Sequence, residues 1–236
     1  MMQKKEKIRS LFDSIAARYD RLNHLMSFNI DKRWRRKALR EVIDPDRTQQ
    51  ILDLASGTGD FALAAARRMA PQSRITAIDL SEGMLQVMRE KVAARNLTDR
   101  IAMELGDSEQ MRFADHSFDV ATIAFGIRNF EHREAGLREI LRVLKPGGKL
   151  AILELSVPSF APFRWLYKGY AFYFMPWIGG LISGDRAAYR YLPASVFAFP
   201  DKKTWMDTMR REGYVQVRHR SFSLGICRLY IGEKTA

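Results

Sequence analysis

Residues 51–60 read Ile-Leu-Asp-Leu-Ala-Ser-Gly-Thr-Gly-Asp, and two later segments repeat part of their logic. An apolar run carrying Asp53 leads into a turn with Gly57, Thr58 and Gly59, and a helical pattern starts at Asp60. Twenty residues after Gly59 a second apolar run, 75–78, ends in Asp79, and a third, 101–105, ends in Gly106-Asp107-Ser108. Glycines in a strand-to-helix turn let backbone approach a ligand, and a carboxylate closing the next strand can accept from both hydroxyls of a ribose. Dinucleotides and S-adenosylmethionine both use this layout. Gly57-x-Gly59-x-x-Ala62 nominally fits the dinucleotide fingerprint. Asp53, however, sits four residues before Gly57, where a dinucleotide turn follows an apolar strand directly. A carboxylate there suits a ligand ammonium, held directly or through water. For a sulfonium nucleoside the amino-acid end would lie along 55–59, with Thr58 offering hydroxyl and amide. Asp79 would take the ribose diol, and Asp107 the adenine amino group beside the Ser108 amide. Asp60 reads as a helix-start charge.

The elements that must hold these residues alternate. Helical spacing of Ile8, Leu11, Phe12, Ile15, Tyr19 and Leu22 predicts a helix over 4–22. Residues 23–31 read as irregular, with Asp31 capping a helix over 34–42 that Pro45 closes. Strands are expected over 51–54, 75–78, 101–105, 118–124 and 150–154. Helices are expected over 60–69, 82–94 (capped by Ser81) and 133–143, with a turn at Lys145-Pro-Gly-Gly148. Two further strands, 215–220 and 228–233, read as an antiparallel edge hairpin. Strands separated by helices make an α/β fold with a doubly wound, mostly parallel, seven-stranded sheet. The whole chain reads as one domain, with an N-terminal helical cap over 1–45 and an aromatic-rich helical insert over 156–200. That insert carries half of the chain's aromatic residues. Core-packing helices and an apolar lid for a greasy substrate both fit its composition.

Composition narrows the chemistry. The 236 residues include one cysteine, Cys227, so neither a disulfide framework nor a thiolate metal site is expected. His24, His116, His132 and His219 are scattered without ligand spacing, and no metal is expected. The basic start, Met1-Met2-Gln3-Lys4-Lys5, is followed by no apolar run, and the uncharged run 169–184 is too short to span a bilayer. A soluble, cytoplasmic protein is expected. Net charge is +12, and residues 1–50 hold 13 Lys/Arg against 7 Asp/Glu. Nucleic acid, an anionic membrane surface and a merely solvated basic face all fit that excess.

Longer segments sharpen the reading. Phe12-Asp-Ser-Ile-Ala-Ala-Arg-Tyr-Asp20, Asn23-His-Leu-Met-Ser27, Trp34-Arg-Arg36, Asp53 through Asp60, Phe125-Gly-Ile-Arg-Asn129 and Arg142-Val-Leu-Lys-Pro-Gly-Gly148 resemble the ubiquinone/menaquinone biosynthesis C-methyltransferase family. That family lies within the class I methyltransferases that use S-adenosylmethionine. Tyr189-Arg-Tyr-Leu192 and Phe199-Pro200 extend the resemblance to nearly the whole chain, and Phe-Gly-Ile-Arg-Asn is its most discriminating piece. One departure is Ala55, where many relatives carry Gly.

The resemblance implies S-adenosylmethionine as cofactor, with Thr58, Asp79, Asp107 and Ser108 among its contacts. It implies carbon methylation of a demethylated polyprenyl quinol, most simply demethylmenaquinol, with a ubiquinone-pathway benzoquinol also compatible. Arg128, after the fourth strand, is the candidate to stabilise a quinol phenolate. Its pKa is too high for it to accept a proton, so Tyr19, His132 or a water is the expected base. Phe12, Tyr19, Met26 and Phe28 are expected on the substrate side. A membrane-resident quinol gives Lys4, Lys5, Lys7, Arg9 and the cluster Lys32-Arg33, Arg35-Arg36-Lys37 a role in transient, peripheral attraction to an anionic membrane. Three other readings stay in view: an RNA-modifying methyltransferase, an NAD-dependent oxidoreductase and a non-catalytic cofactor-binding scaffold. No RNA-binding module or catalytic Cys supports the first, so no nucleic acid is expected as partner. The residues specify no oligomeric state.

Overall fold

The alternation of apolar runs with amphipathic stretches produces, in the computed structural model, one seven-stranded sheet with helices on both faces. Residues 4–174 and 186–236 are described. Trp177, and the side chains of Phe174 and Tyr189, lie outside the described residues. The order is α1 (Lys4–Met26), α2 (Ile30–Val42), β1 (Gln50–Leu54), α3 (Asp60–Ala66), β2 (Arg74–Asp79), α4 (Glu82–Ala93), β3 (Ile101–Leu105), β4 (Phe118–Ala124), α5 (Arg133–Val143) and β5 (Leu144–Leu155). Then come α6 (Ala161–Gly169), running into a wide helical turn Tyr170–Phe174, α7 (Arg186–Phe197), α8 (Lys202–Arg211), β6 (Val215–Phe222) and β7 (Cys227–Glu233).

The strand order is β3-β2-β1-β4-β5-β7-β6. β1 through β5 pair in parallel, and β7 runs antiparallel to both β5 and β6. β1 is an interior strand, with Ile51, Leu52 and Leu54 apolar on both faces and fully buried. Polar, exposed β6 closes an edge. One apolar layer joins Leu39 of α2, Ala62 of α3 and Met88 of α4 to Ile51 and Ile75. The opposite layer joins Ile140 of α5 and Trp205 of α8 to Leu52 and Ile123. Strand order reverses between β1 and β4, and a cleft opens there at the carboxyl ends of the strands, where ligands of such sheets sit.

Several boundaries differ from expectation. α1 runs to Met26, so the irregular stretch shrinks to 27–29, where Phe28 and Asn29 both have positive φ. Asp31 is not a cap: α2 begins at Ile30, and Asp31 is buried beside Arg35. α3 ends at Ala66, and the 145–148 turn lies within the long β5 element. α8 has no counterpart in the sequence reading. Its signals are an Asp201 cap accepting from the Lys203 and Thr204 amides, and Trp205, Thr208 and Met209 on one buried stripe. Ser81 does cap α4, accepting from the Met84 amide at 3.1 Å.

Candidate active site

The β1–α3 turn is built by two left-handed glycines and a carboxylate one strand away. Gly57 has φ 55°, and no atom lies within 4 Å of where a Cβ would stand. That open space is the cleft. Gly59 has φ 82°, but a Cβ there would meet Met88 Cγ at 2.5 Å. Gly59 lines none of the three cavities described below; it lets α3 start tight against α4, which corrects its assignment as a ligand contact. Asp79 braces the turn: its Oδ2 accepts from the Gly57 amide and its Oδ1 from the Ser81 amide, both at 2.8 Å. Burial raises the Asp79 pKa, and these amides oppose the rise. Each oxygen keeps a lone pair for a ligand diol.

An open cavity lies over this turn. Gly57, Asp79, Asp107 and Ser108, all anticipated, line it together with Phe125, Gly126 and Asn129 after β4. Its roof is α1. Lys5 Nζ pairs with Asp107 Oδ2 at 2.6 Å and with Glu109 Oε2 at 3.3 Å. Lys4 Nζ donates to the Phe130 carbonyl at 2.7 Å. Asp13 accepts from the Ser81 hydroxyl and, at 3.1 Å, from the Gly83 amide. Asp20 accepts from the Thr58 hydroxyl and pairs with Lys91 at 2.7 Å. The Thr58 hydroxyl, expected to face the ligand, is therefore committed to α1. These pins span up to 126 residues of sequence, and single-strand motifs gave no sign of them.

Beneath the turn a smaller cavity is lined by Asp53, Thr58, Tyr19 and Arg35. Asp53 Oδ1 accepts from the Thr122 hydroxyl at 2.7 Å, while Oδ2 is buried with no hydrogen-bond partner. Burial pushes the Asp53 pKa up to about 7, only partly opposed by the Thr122 hydroxyl, the Ala62 amide and Arg35. An orphaned buried acceptor is costly, and a ligand ammonium supplies what it lacks. Orphaned Asp53, the open face of Gly57, Asp79 and the Asp107-Ser108 rim together fit a nucleoside with a cationic amino-acid end, as S-adenosylmethionine has.

A third cavity adjoins the first through Tyr19 and Phe125, which line both. Its wall is largely aromatic, with Trp34, Tyr167 and Tyr170 beside Met26. Arg128 lines it, buried, from the short turn after β4. Arg128 is held from all sides. Nη1 pairs with Glu154 Oε1 at 2.9 Å and also reaches the Phe125 carbonyl, while Nε donates to Ser195 Oγ at 3.2 Å. Burial would lower the Arg128 pKa, but Glu154, Tyr19 and Tyr191 together outweigh it and the net shift is upward. Burial likewise raises Tyr19, so its phenol stays protonated. Arg35, missed from sequence as a site residue, lines this wall buried, with Nε unpartnered and its guanidinium 5.2 Å from the Phe125 ring centroid.

Three expectations need correcting. His132 is exposed at the start of α5, its amide bonded to Glu109, and it lines none of the three cavities. It follows the site in sequence, but the Ile127–Asn129 turn carries the chain away. Phe12 lines the first cavity, edge-on to Tyr19, and exposed Phe28 lines none. The scattered histidines include one that the fold pairs: His24 Nδ1 lies 3.0 Å from Asp31 and Nε2 lies 3.2 Å from Asp60. Arg35 and Lys91 already neutralise these carboxylates, so the cluster is an ion-pair network under the cleft.

Comparison with known proteins gives a consistent result. A sequence model of the ubiE/COQ5 methyltransferase family matches residues 1–234. Ubiquinone/menaquinone biosynthesis C-methyltransferase UbiE of Geotalea daltonii is 47% identical over 234 residues, 99% of this chain and 99% of that protein. Demethylmenaquinone methyltransferase of Bacteroides fragilis is 44% identical over 232 residues, 98% of this chain and 94% of that protein. Among solved structures, a possible histamine N-methyltransferase from Thermotoga maritima shares the fold at TM-score 0.67 and 18% identity, covering 96% of this chain and 99% of that one. Haemonchus contortus phosphoethanolamine N-methyltransferase 2, solved with S-adenosylhomocysteine, shares it at TM-score 0.62 and 16% identity, over 85% of this chain and 52% of that one.

Proposed function

The chain belongs to the ubiE/COQ5 methyltransferase family, and from that membership and the two adjoining cavities we infer that it methylates a ring carbon of a demethylated polyprenyl quinol, with demethylmenaquinol the preferred substrate. It is an S-adenosylmethionine-dependent C-methyltransferase of quinone biosynthesis. The observation that carries the substrate reading is the aromatic cavity beside the nucleoside cavity, sharing Tyr19 and Phe125 with it. Family membership argues against an RNA substrate.

S-adenosylmethionine supplies a methyl group already activated by its sulfonium charge. The chain's own residues bind and orient. Asp53 holds the ammonium end, Gly57 leaves room for backbone contact, Asp79 holds the ribose diol, and Asp107 with Ser108 holds the adenine edge. Asp107 must loosen its pair with Lys5 to do so. The quinol becomes nucleophilic at carbon when a phenol proton leaves and its charge spreads to the ortho position. Arg128 and Tyr19 stand in the wall that would face that oxygen, where a fixed charge is worth far more than in water. The one carboxylate among the described lining residues of this cavity is Asp31. Ser27 and Arg35 overcome its burial and keep it ionised. So held, Asp31 is a poor proton acceptor, and of the expected bases water is left to take the phenol proton. Alignment of the two reactants supplies up to about 7–11 kcal/mol. The basic excess of residues 1–50 supports transient attachment to an anionic membrane, where such a quinol resides.

Two measurements test the reading. Methyl transfer to a short-chain demethylmenaquinol, with a demethylated benzoquinol alongside, should favour the naphthoquinol; turnover of neither rejects it. Calorimetry should show S-adenosylhomocysteine binding and no NAD binding. Asp79→Ala should weaken that binding by about 2–3 kcal/mol through two lost charge-assisted hydrogen bonds.

A further inference from the structure

The α1–α2 corner and α6 wall the aromatic cavity on their inner sides and carry exposed apolar groups on their outer sides. The Tyr170 hydroxyl donates to the Met26 carbonyl at 2.7 Å and ties the two elements together. Outside, Phe28 is 73% exposed, Trp165 and Leu166 are each 71%, and Tyr173 is 80%. On α6, Tyr167 turns inward to the cavity, which leaves Trp165 and Leu166 facing out. At the corner Phe28 has φ 51°, left-handed backbone that costs a bulky residue about 1–2 kcal/mol. The fold thus presents an aromatic ring to solvent from a strained backbone. Such strain is retained where it serves a purpose.

The exposed charged side chains of the two stretches that carry these groups have one sign. Lys32, Arg33 and Arg36 on α2, and Arg164 and Lys168 on α6, are exposed. Within 24–37 the only acid is Asp31, buried and paired with Arg35, and 159–173 contains none. Lys168 Nζ lies 5.8 Å from the Trp165 ring centroid. An aromatic and aliphatic patch ringed by cations matches the headgroup zone of an anionic bilayer, where Trp and Tyr rings sit below phosphates that bind Lys and Arg. No helix among the described residues is long and apolar enough to cross a membrane. Contact is therefore interfacial.

We propose that this face docks on an anionic bilayer: Phe28, Trp165, Leu166 and Tyr173 enter the headgroup region while the flanking cations hold lipid phosphates. The quinol then passes from bilayer to aromatic cavity without crossing water. The purpose of the docking rests on the quinol reading above; its physical basis does not. This goes beyond a general basic attraction, because an apolar contribution survives salt while a purely electrostatic one is screened.

The test is sedimentation with vesicles of phosphatidylcholine and phosphatidylglycerol in equal parts, against phosphatidylcholine alone, at low and high salt. The wild-type protein should bind the mixed vesicles and retain part of that binding at high salt. The triple variant Phe28→Ser, Trp165→Ser, Leu166→Ser should lose at least tenfold in vesicle affinity. Its S-adenosylhomocysteine affinity and its turnover of a short-chain, water-soluble quinol should be unchanged, which shows it folded. Arg164→Glu with Lys168→Glu should remove the salt-sensitive part. Wild-type-like vesicle binding by the triple variant overturns the proposal, as does failure of the wild-type protein to bind mixed vesicles. A dimer that dissociates in the triple variant at unchanged vesicle affinity also overturns it and reassigns the face to self-association. If no quinol is methylated but the triple variant still loses vesicle binding, the docking face stands and the quinol reading falls.

Discussion

Arg128→Gln removes a positive charge from the wall of the aromatic cavity, and it also strips a buried carboxylate of its partner. Arg128 is 4% exposed and Glu154 0%, with Nη1 and Oε1 2.9 Å apart. Without the guanidinium, Glu154 keeps, among the described residues, the Arg128 amide at 3.2 Å and the Leu155 amide at 2.9 Å. Breaking one side of such a pair costs about 3–5 kcal/mol, a large part of the ~5–15 kcal/mol that holds a typical domain. At about 2–4 °C per kcal/mol for a chain of this size, the melting temperature should fall by about 6–20 °C. The single variant therefore confounds charge with folding. Arg128→Gln combined with Glu154→Gln replaces the ion pair by two neutral amides of similar shape, and should recover stability to within about 2 kcal/mol of wild type. If the Arg128 charge acts on the quinol oxygen, turnover of a short-chain demethylmenaquinol should still fall by roughly 10²–10³ in the double variant. S-adenosylhomocysteine affinity should stay unchanged, because the groups assigned to hold it lie elsewhere. Thermal unfolding, methyl-transfer rate and calorimetric titration on both variants separate these effects. A double variant that folds and turns over at near the wild-type rate refutes the electrostatic role and leaves Arg128 as a brace for the segment after β4.

Asp53 should make stability depend on pH in the direction opposite to a paired carboxylate. Burial raises it from its usual range to about 7 in the folded chain, so the folded state holds that proton more tightly than the unfolded one. Its contribution is greatest below about pH 4, declines between about 4 and 7, and is level above. Asp53→Asn should flatten that decline and add up to ~4 kcal/mol at pH 8 in the ligand-free protein, and affinity for S-adenosylhomocysteine in the wild type should rise as pH approaches 7. Melting curves and titrations across that range check both, and an Asp53→Asn profile that runs parallel to wild type through the same window removes the assignment. Gly57→Ala and Gly59→Ala should separate ligand space from packing. At Gly57 the cost to folding is the left-handed backbone alone, about 1–2 kcal/mol, while the methyl group enters the cleft, so cofactor affinity should fall more than stability. At Gly59 the added carbon meets Met88, and the melting temperature should fall further than at Gly57; equal melting losses in the two variants reject the distinction.

The parts of this protein legible in its sequence are those encoded over a few residues. Apolar runs ending in Asp53, Asp79 and Asp107 declare strands whose carboxyl ends meet at one edge. Gly57 declares a turn because positive φ without a Cβ is a local requirement. The alternation of runs fixes a doubly wound sheet, and the antiparallel hairpin at its edge follows from two short strands near the C-terminus. α8 escaped because five of its ten residues are charged, which leaves Trp205 and Met209 as thin evidence for a buried stripe. Tertiary structure alone decided which polar groups meet. Glu154 lies 26 residues from Arg128, and Lys91 lies 71 residues from Asp20 and 31 from Asp60. His24 finds Asp60 only because α1 lies across the sheet edge. His132, next to the site in sequence, was carried out to solvent by one short turn. Backbone geometry acts between neighbours, so local pattern predicts strands, turns and caps. Burial and ion pairing act between surfaces that exist only after the sheet has formed, so the partners of Arg128, the commitment of Thr58 to α1 and the aromatic wall beside the cofactor cleft are properties of the assembled fold.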